Sequence, residues 1–436
     1  MIKGKKEPVT GLVIHCALLT ALLLGFIGNA RAADGALSLQ DLINEVENNH
    51  EVLSSEARAL ASTYRVPQAG SLPDPMFMFG YQNEGWKQYT YGKAQGAQWM
   101  YSASQMFPFP GKRALKGEMA SKDAESLGAL HNAAKLRIIA RVKELYYDLF
   151  FTYKNIDLIK DRTILFSRVE DAALARYSTG MAPQQEVIMA QTEKYMLLEK
   201  EEMLKQKVQS LEAMLNATVG RDVNAPLGRP AEVLAAPYAR SMDELIHLAY
   251  LNSPEIRSRE KMAASAEVKV KMAQKEYYPD FTVAASLFKR KGEFEDMWSL
   301  TTTINIPLYY RTKQRQAVHE AEASLSEARH ELEGARSMLS SSIRDNFSMF
   351  KTTERLMDLY KSGLIPKAYQ DFELALSGYV TGKVEAITTI SRLKTILDLE
   401  ISYWNQFAER EKAIARLEAL TGITDSTSGD NKNEKK

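Results

Sequence analysis

A proline-free stretch at residues 113–177 sets the strongest limit on how this chain folds. As a single helix, at about 1.5 Å per residue, this stretch is roughly 100 Å long. Its apolar residues recur at the three- and four-residue spacings typical of coiled coils: Leu127, Leu130, Ala134, Ile138, Val142, Leu145, Leu149, Tyr153 and Ile156. Such a helix does not fit inside a compact globule. We therefore predict that it packs along other long helices.

The sequence also repeats itself. Residues 318–339 have the same heptad spacing at Val318, Ala321, Leu325, Ala328, Leu332, Ala335 and Leu339. Four matching pairs lie 199–203 residues apart and in the same order: Asn49 and Asn252, Pro108 and Pro307, Tyr177 and Tyr379, and Gly220 and Gly422. This regular separation indicates an internal duplication.

The duplication predicts the domain organisation. We expect a signal peptide at 1–32, a first repeat at 38–220, an extended proline-containing linker at 221–240, a second repeat at 241–422 and a disordered polar tail at 423–436. Ser38 and Ser241 are predicted N-caps, because each precedes an apolar run and is followed by an acid three residues later.

Each repeat is predicted to contain a capped helix, two strands, a long helix, a turn and another helix. In the first repeat we expect strands at about 76–83 and 97–107, a helix at about 112–178, a turn at 177–183 and a helix at 184–219. In the second we expect strands at about 281–289 and 298–308, a helix at about 311–378 with a kink at Pro366, a turn at 379–384 and a helix at 385–421. The last strand alternates most clearly, with Trp298, Leu300, Thr302, Ile304 and Ile306 on one face.

The N-terminus is typical of an export signal. Lys3, Lys5 and Lys6 precede an apolar run at residues 12–27, and Ala30 and Ala32 form a small-x-small cleavage site. The alternative is an N-terminal membrane anchor, but the run is shorter than the ~20 apolar residues that a spanning helix needs. The only cysteine, Cys16, lies within this run, so no disulfide is expected in the exported chain. The net charge of +1 argues against a nucleic-acid partner.

The predicted strands are long enough to cross a bilayer, where a tilted strand needs about 9–11 residues. Four strands do not close a barrel, and an open sheet edge in hydrocarbon leaves backbone groups unpaired. We therefore expect other chains to complete the sheet, with two, three or four copies as the open alternatives. Trp86, Trp99 and Trp298 are candidates for an aromatic belt at the membrane interface.

The segment "QMFPFPGKR" predicts where the first strand pair meets the long helix. Pro108 and Pro110 end the strand, since proline has no ladder donor, and Gly111 allows the chain to change direction. The adjacent basic residues Lys112 and Arg113 are expected to mark the exit to water. Pro307 has the same position in the second repeat. The alternative is an ordinary strand–helix turn in a soluble α+β protein.

Three longer segments extend these patterns: "PDPMFMFGYQNEG" from Pro73, "QMFPFPGKRALKGE" from Gln105, and the stretch "YVTGKVEAITTISRLKTILDLEISYWNQFAEREKAIARLEALTG" from Tyr379. On these segments the chain resembles the TolC superfamily of outer-membrane efflux channels, in particular its heavy-metal, CzcC-like branch. The resemblance implies a mainly α fold with a small β-barrel portion, in which coiled-coil hairpins and two β-hairpins per protomer complete a trimeric α/β-barrel tunnel. It implies a homotrimer in outer-membrane lipid that docks with a periplasmic adaptor and an inner-membrane pump of the resistance-nodulation-division (RND) type.

In this family the two helix turns lie at the periplasmic tip, where they open the tunnel. The resemblance makes seven residues tip or aperture candidates: Tyr177, Gly180, Glu186, Tyr379, Gly382, Lys383 and Glu385. Several relatives carry a ring of carboxylates after the second glycine, but here Thr388 and Thr389 occupy that stretch. Three copies of Glu385 would form a cation-selective ring. The alternative is a solvated glutamate that pairs with Lys383.

No catalytic motif, cofactor site or metal site is predicted, so the protein is expected not to be an enzyme. His319 and His330 have no third ligand at metal spacing. Met76 and Met78 alternate on a strand and would suit a soft ion such as Cu(I), with packing or lipid contact as the alternative. The favoured function is a passive exit duct for metal cations or small toxic compounds. The alternatives are a duct for type I polypeptide secretion and a soluble periplasmic scaffold or adaptor.

Overall fold

The computed structural model describes residues 36–233 and 235–423. The predicted signal peptide and all but the first residue of the predicted tail lie outside the described residues. The first repeat consists of α1 (Leu39–Glu45), α2 (His50–Gly70), β1 (Met76–Gln82), β2 (Gln98–Phe107), α3 (Lys112–Ser178) and α4 (Gln184–Val219). The second consists of α5 (Met242–Asn252), α6 (Pro254–Lys275), β3 (Asp280–Lys289), β4 (Met297–Asn305), α7 (Gln314–Asp358), α8 (Ile365–Val380) and α9 (Ala386–Thr421).

Each repeat begins with two helices, whereas the sequence interpretation placed one capped helix there. A break after the first helix is stabilised by new caps: Asn49 accepts hydrogen bonds from the backbone N–H of Glu51 and Val52, and Pro254 begins α6. The predicted cap at Ser241 is present, since its hydroxyl accepts from the Glu244 N–H at 3.2 Å. Ser38 is the N-cap residue of α1, as predicted, but its side chain makes no capping hydrogen bond.

The four strands form one antiparallel sheet in the order β1-β2-β3-β4. β2 and β3 pair across the two repeats, with Ala103 opposite Ala285 and Phe107 opposite Phe281. The strand β4 ends at Asn305, three residues before the expected end, because Pro307 follows and cannot donate to a ladder. Within the described ranges, the outer edges of β1 and β4 have no strand partner.

The long helix α3 is the axis of the helical part. It packs against α2, α4, α6 and α9, and fully buried residues along it include Val142, Leu149, Ile159 and Phe166. Each buried side chain of this size contributes about 1.5–3 kcal/mol, so a seam of them offsets the entropy of ordering a helix this long. Of the helices in the described part of the chain, none is long and apolar enough to cross a membrane.

The second long helix is not continuous. Between α7 and α8, residues Leu359–Leu364 form a π-helical turn, and Pro366 lies at the start of α8. Proline removes one helical hydrogen bond and its ring crowds the preceding turn. A single π turn within an α-helix accommodates such a break in the hydrogen-bond pattern. At the predicted kink at Pro366, the helix therefore changes from α to π in the turn just before the proline.

Both repeats end with the same close contact. Gly220 and Gly422 adopt φ of +78° and +73°, where glycine pays no Cβ penalty. A Cβ at Gly220 would lie 2.5 Å from the Asn48 carbonyl oxygen, and one at Gly422 would lie 2.7 Å from that of Asn252. Each glycine thus lets the end of a repeat pack on the start of the same repeat.

The predicted fold class, mainly helical with a small sheet, is confirmed.

Candidate functional site

The sheet has two chemically distinct faces. Its register places Phe79, Tyr101, Leu287 and Trp298 in one row across all four strands. We call their side of the sheet the aromatic face; its members are Phe77, Phe79, Tyr81, Trp99, Tyr101, Ala103, Gln105, Phe107, Phe281, Val283, Ala285, Leu287, Lys289, Trp298, Leu300, Thr302 and Ile304. The opposite side, which we call the polar face, contains mainly Ser, Thr, Gln, Asn and Met.

The aromatic face is uncovered in the single chain. Phe77 is 81% exposed, Trp298 79% and Leu300 66%. Contiguous apolar surface of this kind marks a protein or membrane contact in a native chain. The alternation of one apolar and one polar face is the pattern of a sheet with lipid on one side and water on the other.

The three tryptophan candidates lie near the loop ends of the strands. Trp99 stacks on Phe79 with ring centroids 5.1 Å apart, and it shares the aromatic face with Trp298. Trp86 lies in the loop between β1 and β2 and is fully exposed. Trp99 and Trp298 are therefore on the face that an interfacial belt requires, and the belt stays a prediction.

The junction between β2 and α3 is held by a buried lysine. Pro108 and Pro110 lie between the two elements, and Gly111 adopts φ +94° as the N-cap of α3. Lys112 is only 3% exposed; its Nζ lies 2.9 Å from Asp280 Oδ1 and 3.2 Å from Glu276 Oε2. The interpretation of Lys112 as an exit to water is wrong.

Lys112 instead joins the two repeats. Asp280 also accepts a hydrogen bond of 2.8 Å from the Phe109 N–H, so one carboxylate fixes both sides of the turn. In the second repeat, Pro307 follows β4 and precedes the turn into α7. There Arg311, at the position of Lys112, is exposed.

The two long hairpins end in matching turns. Gly180 and Gly382 follow α3 and α8 and adopt φ of +74° and +76°, as helix C-termini commonly require. The two turns contact each other through one cluster of buried apolar residues: Ala173, Val187, Tyr379 and Ala386. The tip candidates of both repeats therefore lie at the same end of the molecule.

Tyr379 links the two turns. Its side chain is fully buried, and its hydroxyl donates to Glu186 Oε2 at 2.8 Å. The Arg176 guanidinium lies 4.6 Å from the centre of the Tyr379 ring and donates to the Tyr379 carbonyl. Burial, then the hydrogen bond and charge of Glu186, raise the pKa of Tyr379. The hydroxyl therefore remains a donor throughout the physiological pH range.

The equivalent tyrosine of the first repeat has no such contact. Tyr177 is 44% exposed. Glu385 and Lys383 are also exposed, and no ion pair joins them in the part of the chain that the structure describes. The structure thus brings Tyr379 and Glu186 together and leaves Tyr177, Lys383 and Glu385 on the surface of the tip.

A second polar bridge joins the hairpins further from their ends. Arg162 on α3 contacts both oxygens of Glu400 on α9, at 2.8 Å and 2.6 Å, and Tyr369 on α8 donates to Glu400 at 2.9 Å. Burial and the neighbouring Glu400 carboxylate raise the pKa of Tyr369 to about 12. Sequence reasoning missed Arg162, Glu400 and Arg176, because each occurs in only one repeat. For example, Gly378 occupies the position in the second repeat that corresponds to Arg176.

Metal-ligand geometry is not evident in the described ranges, where no three His, Cys, Asp or Glu residues form a group that could hold an ion. His319 contacts Glu322 at 3.3 Å and Arg315 at 3.4 Å. The features that distinguish this chain are therefore a one-sided apolar sheet and a pair of linked hairpin ends.

Known proteins are similar to this chain in sequence and in fold. Residues 245–422 match the family model for outer membrane efflux proteins. The cobalt-zinc-cadmium resistance protein CzcC of Cupriavidus metallidurans is 21% identical over 90% of this chain and 91% of its own length. The outer-membrane protein VceC of Vibrio cholerae has a TM-score of 0.76 at 18% identity, over 88% of this chain and 96% of that one. The CmeC outer-membrane channel of Campylobacter jejuni has a TM-score of 0.74 at 13% identity, over 92% and 91%.

The match over the second repeat and the shared fold confirm the resemblance that the sequence predicts. The family model for outer membrane efflux proteins matches residues 245–422, and the solved outer-membrane channel structures share the fold of the chain. Its likeness to CzcC extends over nearly the whole length of both chains.

Proposed function

We propose that this chain is one protomer of a homotrimeric duct that carries metal cations or small toxic compounds across the periplasm and the outer membrane. Three sheets of four strands close a twelve-stranded barrel, and the hairpins continue it as a helical tunnel. The duct docks at its tip with a periplasmic adaptor and an inner-membrane RND pump. It is passive, and no residue is assigned a catalytic role.

One observation carries this proposal. The first repeat contacts the second through a strand pair and an ion pair, but the equivalent strand edges and the equivalent arginine on the other sides of the two repeats have no such contact within the described part of the chain. β2 pairs with β3, but β1 and β4 present open edges. Lys112 pairs with Asp280, but its counterpart Arg311 is exposed. A ring of identical chains would pair these free edges and charges, because the second repeat of each copy then contacts the first repeat of the next copy.

The sequence contains a candidate ion-pair partner for Arg311 in such a ring. Asp280 follows Pro279 and is the first residue of β3, and Asp74 follows Pro73 two residues before the start of β1. Asp74 is exposed in the single chain. An Arg311–Asp74 pair between copies is therefore the counterpart of the Lys112–Asp280 pair within the chain. The number of copies, three, is the one that the TolC resemblance implies.

The tip supplies the gate. In the closed state Tyr379 and Arg176 hold the second hairpin against the first, and release of the Tyr379–Glu186 bond lets the hairpins move apart. Exposed Glu385 residues from three copies surround the entrance and favour cations. Metal cations are the proposed substrates because the similar protein CzcC is described as a cobalt-zinc-cadmium resistance protein.

A deletion strain tests the proposed function. We expect loss of the gene to lower the tolerated concentration of at least one of zinc, cobalt, cadmium, copper and silver several-fold, and a plasmid copy to restore it. The deletion strain carrying an empty plasmid is the control and should remain sensitive. Unchanged tolerance to all these metals and to common toxic compounds would contradict the efflux assignment.

A further inference from the structure

The methionines of the sheet all lie on one side. Met76 and Met78 of β1, Met100 and Met106 of β2, and Met297 of β4 belong to the polar face by register. The Val, Leu, Ile, Trp and Tyr side chains of the strands belong to the aromatic face. Phe288 is the one other large apolar side chain of the strands on the polar face.

Lipid contact does not explain this placement, and packing explains only part of it, since the Met100 side chain lies over Gly80. Methionine is about as apolar as leucine and would suit the aromatic face. On the polar face it remains accessible instead: Met76 is 64% exposed and Met78 is 56% exposed. Exposed apolar area costs roughly 25 cal/mol per Å². Because exposed methionines on a face of serines and threonines carry this cost, we infer that their sulfur atoms have a role of their own.

Four of these methionines form a continuous line. Met76 lies opposite Ser104 and Met78 opposite Ser102, so Met106 and Met100 are their diagonal neighbours, two residues further along β2. Diagonal neighbours of this kind are roughly 7–8 Å apart, and successive residues on one face of a strand are about 7 Å apart. The three rotatable bonds of methionine allow sulfurs at this spacing to converge on one ion.

The strand residues around the line carry no positive charge. Among them the polar face has no lysine or arginine, and its one charged side chain, Asp280, is paired with Lys112. Around the line, Ser286 and Ser102 are hydrogen-bonded to each other at 2.9 Å. The fifth methionine is different, because Arg290 donates to the Met297 sulfur at 2.9 Å. Met297 is therefore not part of the site.

We propose that Met76, Met78, Met100 and Met106 bind soft monovalent cations, Cu(I) or Ag(I), on the inner wall of the barrel. Neutral thioether ligands select such ions over the harder divalent cations. The ion keeps its charge and oxidation state and passes from sulfur to sulfur. This inference rests on the proposed function for the position of the polar face in the lumen, while the site itself requires only the sheet.

Silver binding to the purified full-length protein in detergent tests the site. Ag(I) is the probe, followed by isothermal titration calorimetry and X-ray absorption at the silver edge. The variant M76L/M78L/M100L preserves side-chain volume and removes three sulfurs. We expect its affinity for Ag(I) to fall at least tenfold and the sulfur signal of bound silver to disappear. The matched control M181L/M203L/M338L removes three methionines that are 71%, 66% and 69% exposed outside the sheet, and should bind silver like the wild type.

Each outcome decides the inference. Equal silver affinity in wild type and M76L/M78L/M100L, or an equal loss in the control variant, would overturn it. If silver binds at the sheet but the deletion strain tolerates every metal, the site stands and the proposed function fails. If the deletion strain is metal-sensitive and the sheet variant binds silver normally, the function stands and the site is wrong.

Discussion

Ala285→Arg is expected to prevent the protein from accumulating in the outer membrane, whereas Ala284→Arg is expected to be tolerated. The two alanines are adjacent at the middle of β3. Ala285 lies between Ala103 and Leu300 on the aromatic face, and Ala284 lies between Ser104 and Thr301 on the polar face. The pair therefore places the same charge at the same depth on opposite sides of one strand.

The size of the effect follows from the lipid. An arginine on the lipid face of a barrel costs about 2–4 kcal/mol at the bilayer midplane, and the proposed trimer would carry three. The amount of protein in the outer-membrane fraction and its melting temperature in detergent measure the outcome. Equal behaviour of the two variants would contradict a one-sided membrane contact. Loss of the Ala284→Arg variant alone would show that the faces are reversed.

Tyr379→Phe is expected to open the duct. The substitution keeps the buried ring and removes only the hydroxyl that donates to Glu186. A hydrogen bond to a charged group contributes about 1.5–3 kcal/mol, which corresponds to a roughly 10- to 100-fold shift of the closed-to-open ratio in each protomer. We expect single-channel conductance in planar bilayers to rise several-fold and the wild-type closed level to be rarely visited.

Tyr177→Phe is the matched control for this gate. It changes the same residue type in the equivalent turn, and within residues 36–233 and 235–423 the Tyr177 hydroxyl has no hydrogen-bond partner. Its conductance should equal that of the wild type. A Tyr379→Phe channel that conducts like the wild type would show that the Tyr379–Glu186 contact does not hold the tip closed.

Local sequence was sufficient for much of the fold. The helix expected at about 112–178 lies at Lys112–Ser178, because a long proline-free heptad pattern has no competing local structure. The alternation from Trp298 to Ile304 gives the aromatic face of β4 directly. The cap at Asn49 and the helix start at Pro254 were missed, since a short helix followed at once by another has one continuous apolar pattern.

The candidate site depended on contacts that local sequence does not contain. Lys112 is buried because of Asp280, which is 168 residues away. Tyr177 and Tyr379 lie in nearly identical motifs, yet one is exposed and the other is fully buried. Their difference comes from the hairpin beside them, so the duplicated motif predicted that the two tyrosines lie at matching turns but not which of them is buried.

Crosslinking between copies tests the central claim, that neighbouring chains fill the open places of each protomer. In a chain with Cys16 replaced by serine, the variant Asp74→Cys/Arg311→Cys is treated in membranes with a short bismaleimide. We predict a covalent ladder that ends at the trimer, while the control Lys112→Cys/Asp280→Cys forms its link within one chain and runs as a monomer. An Asp74→Cys/Arg311→Cys protein that runs only as a monomer would contradict the account.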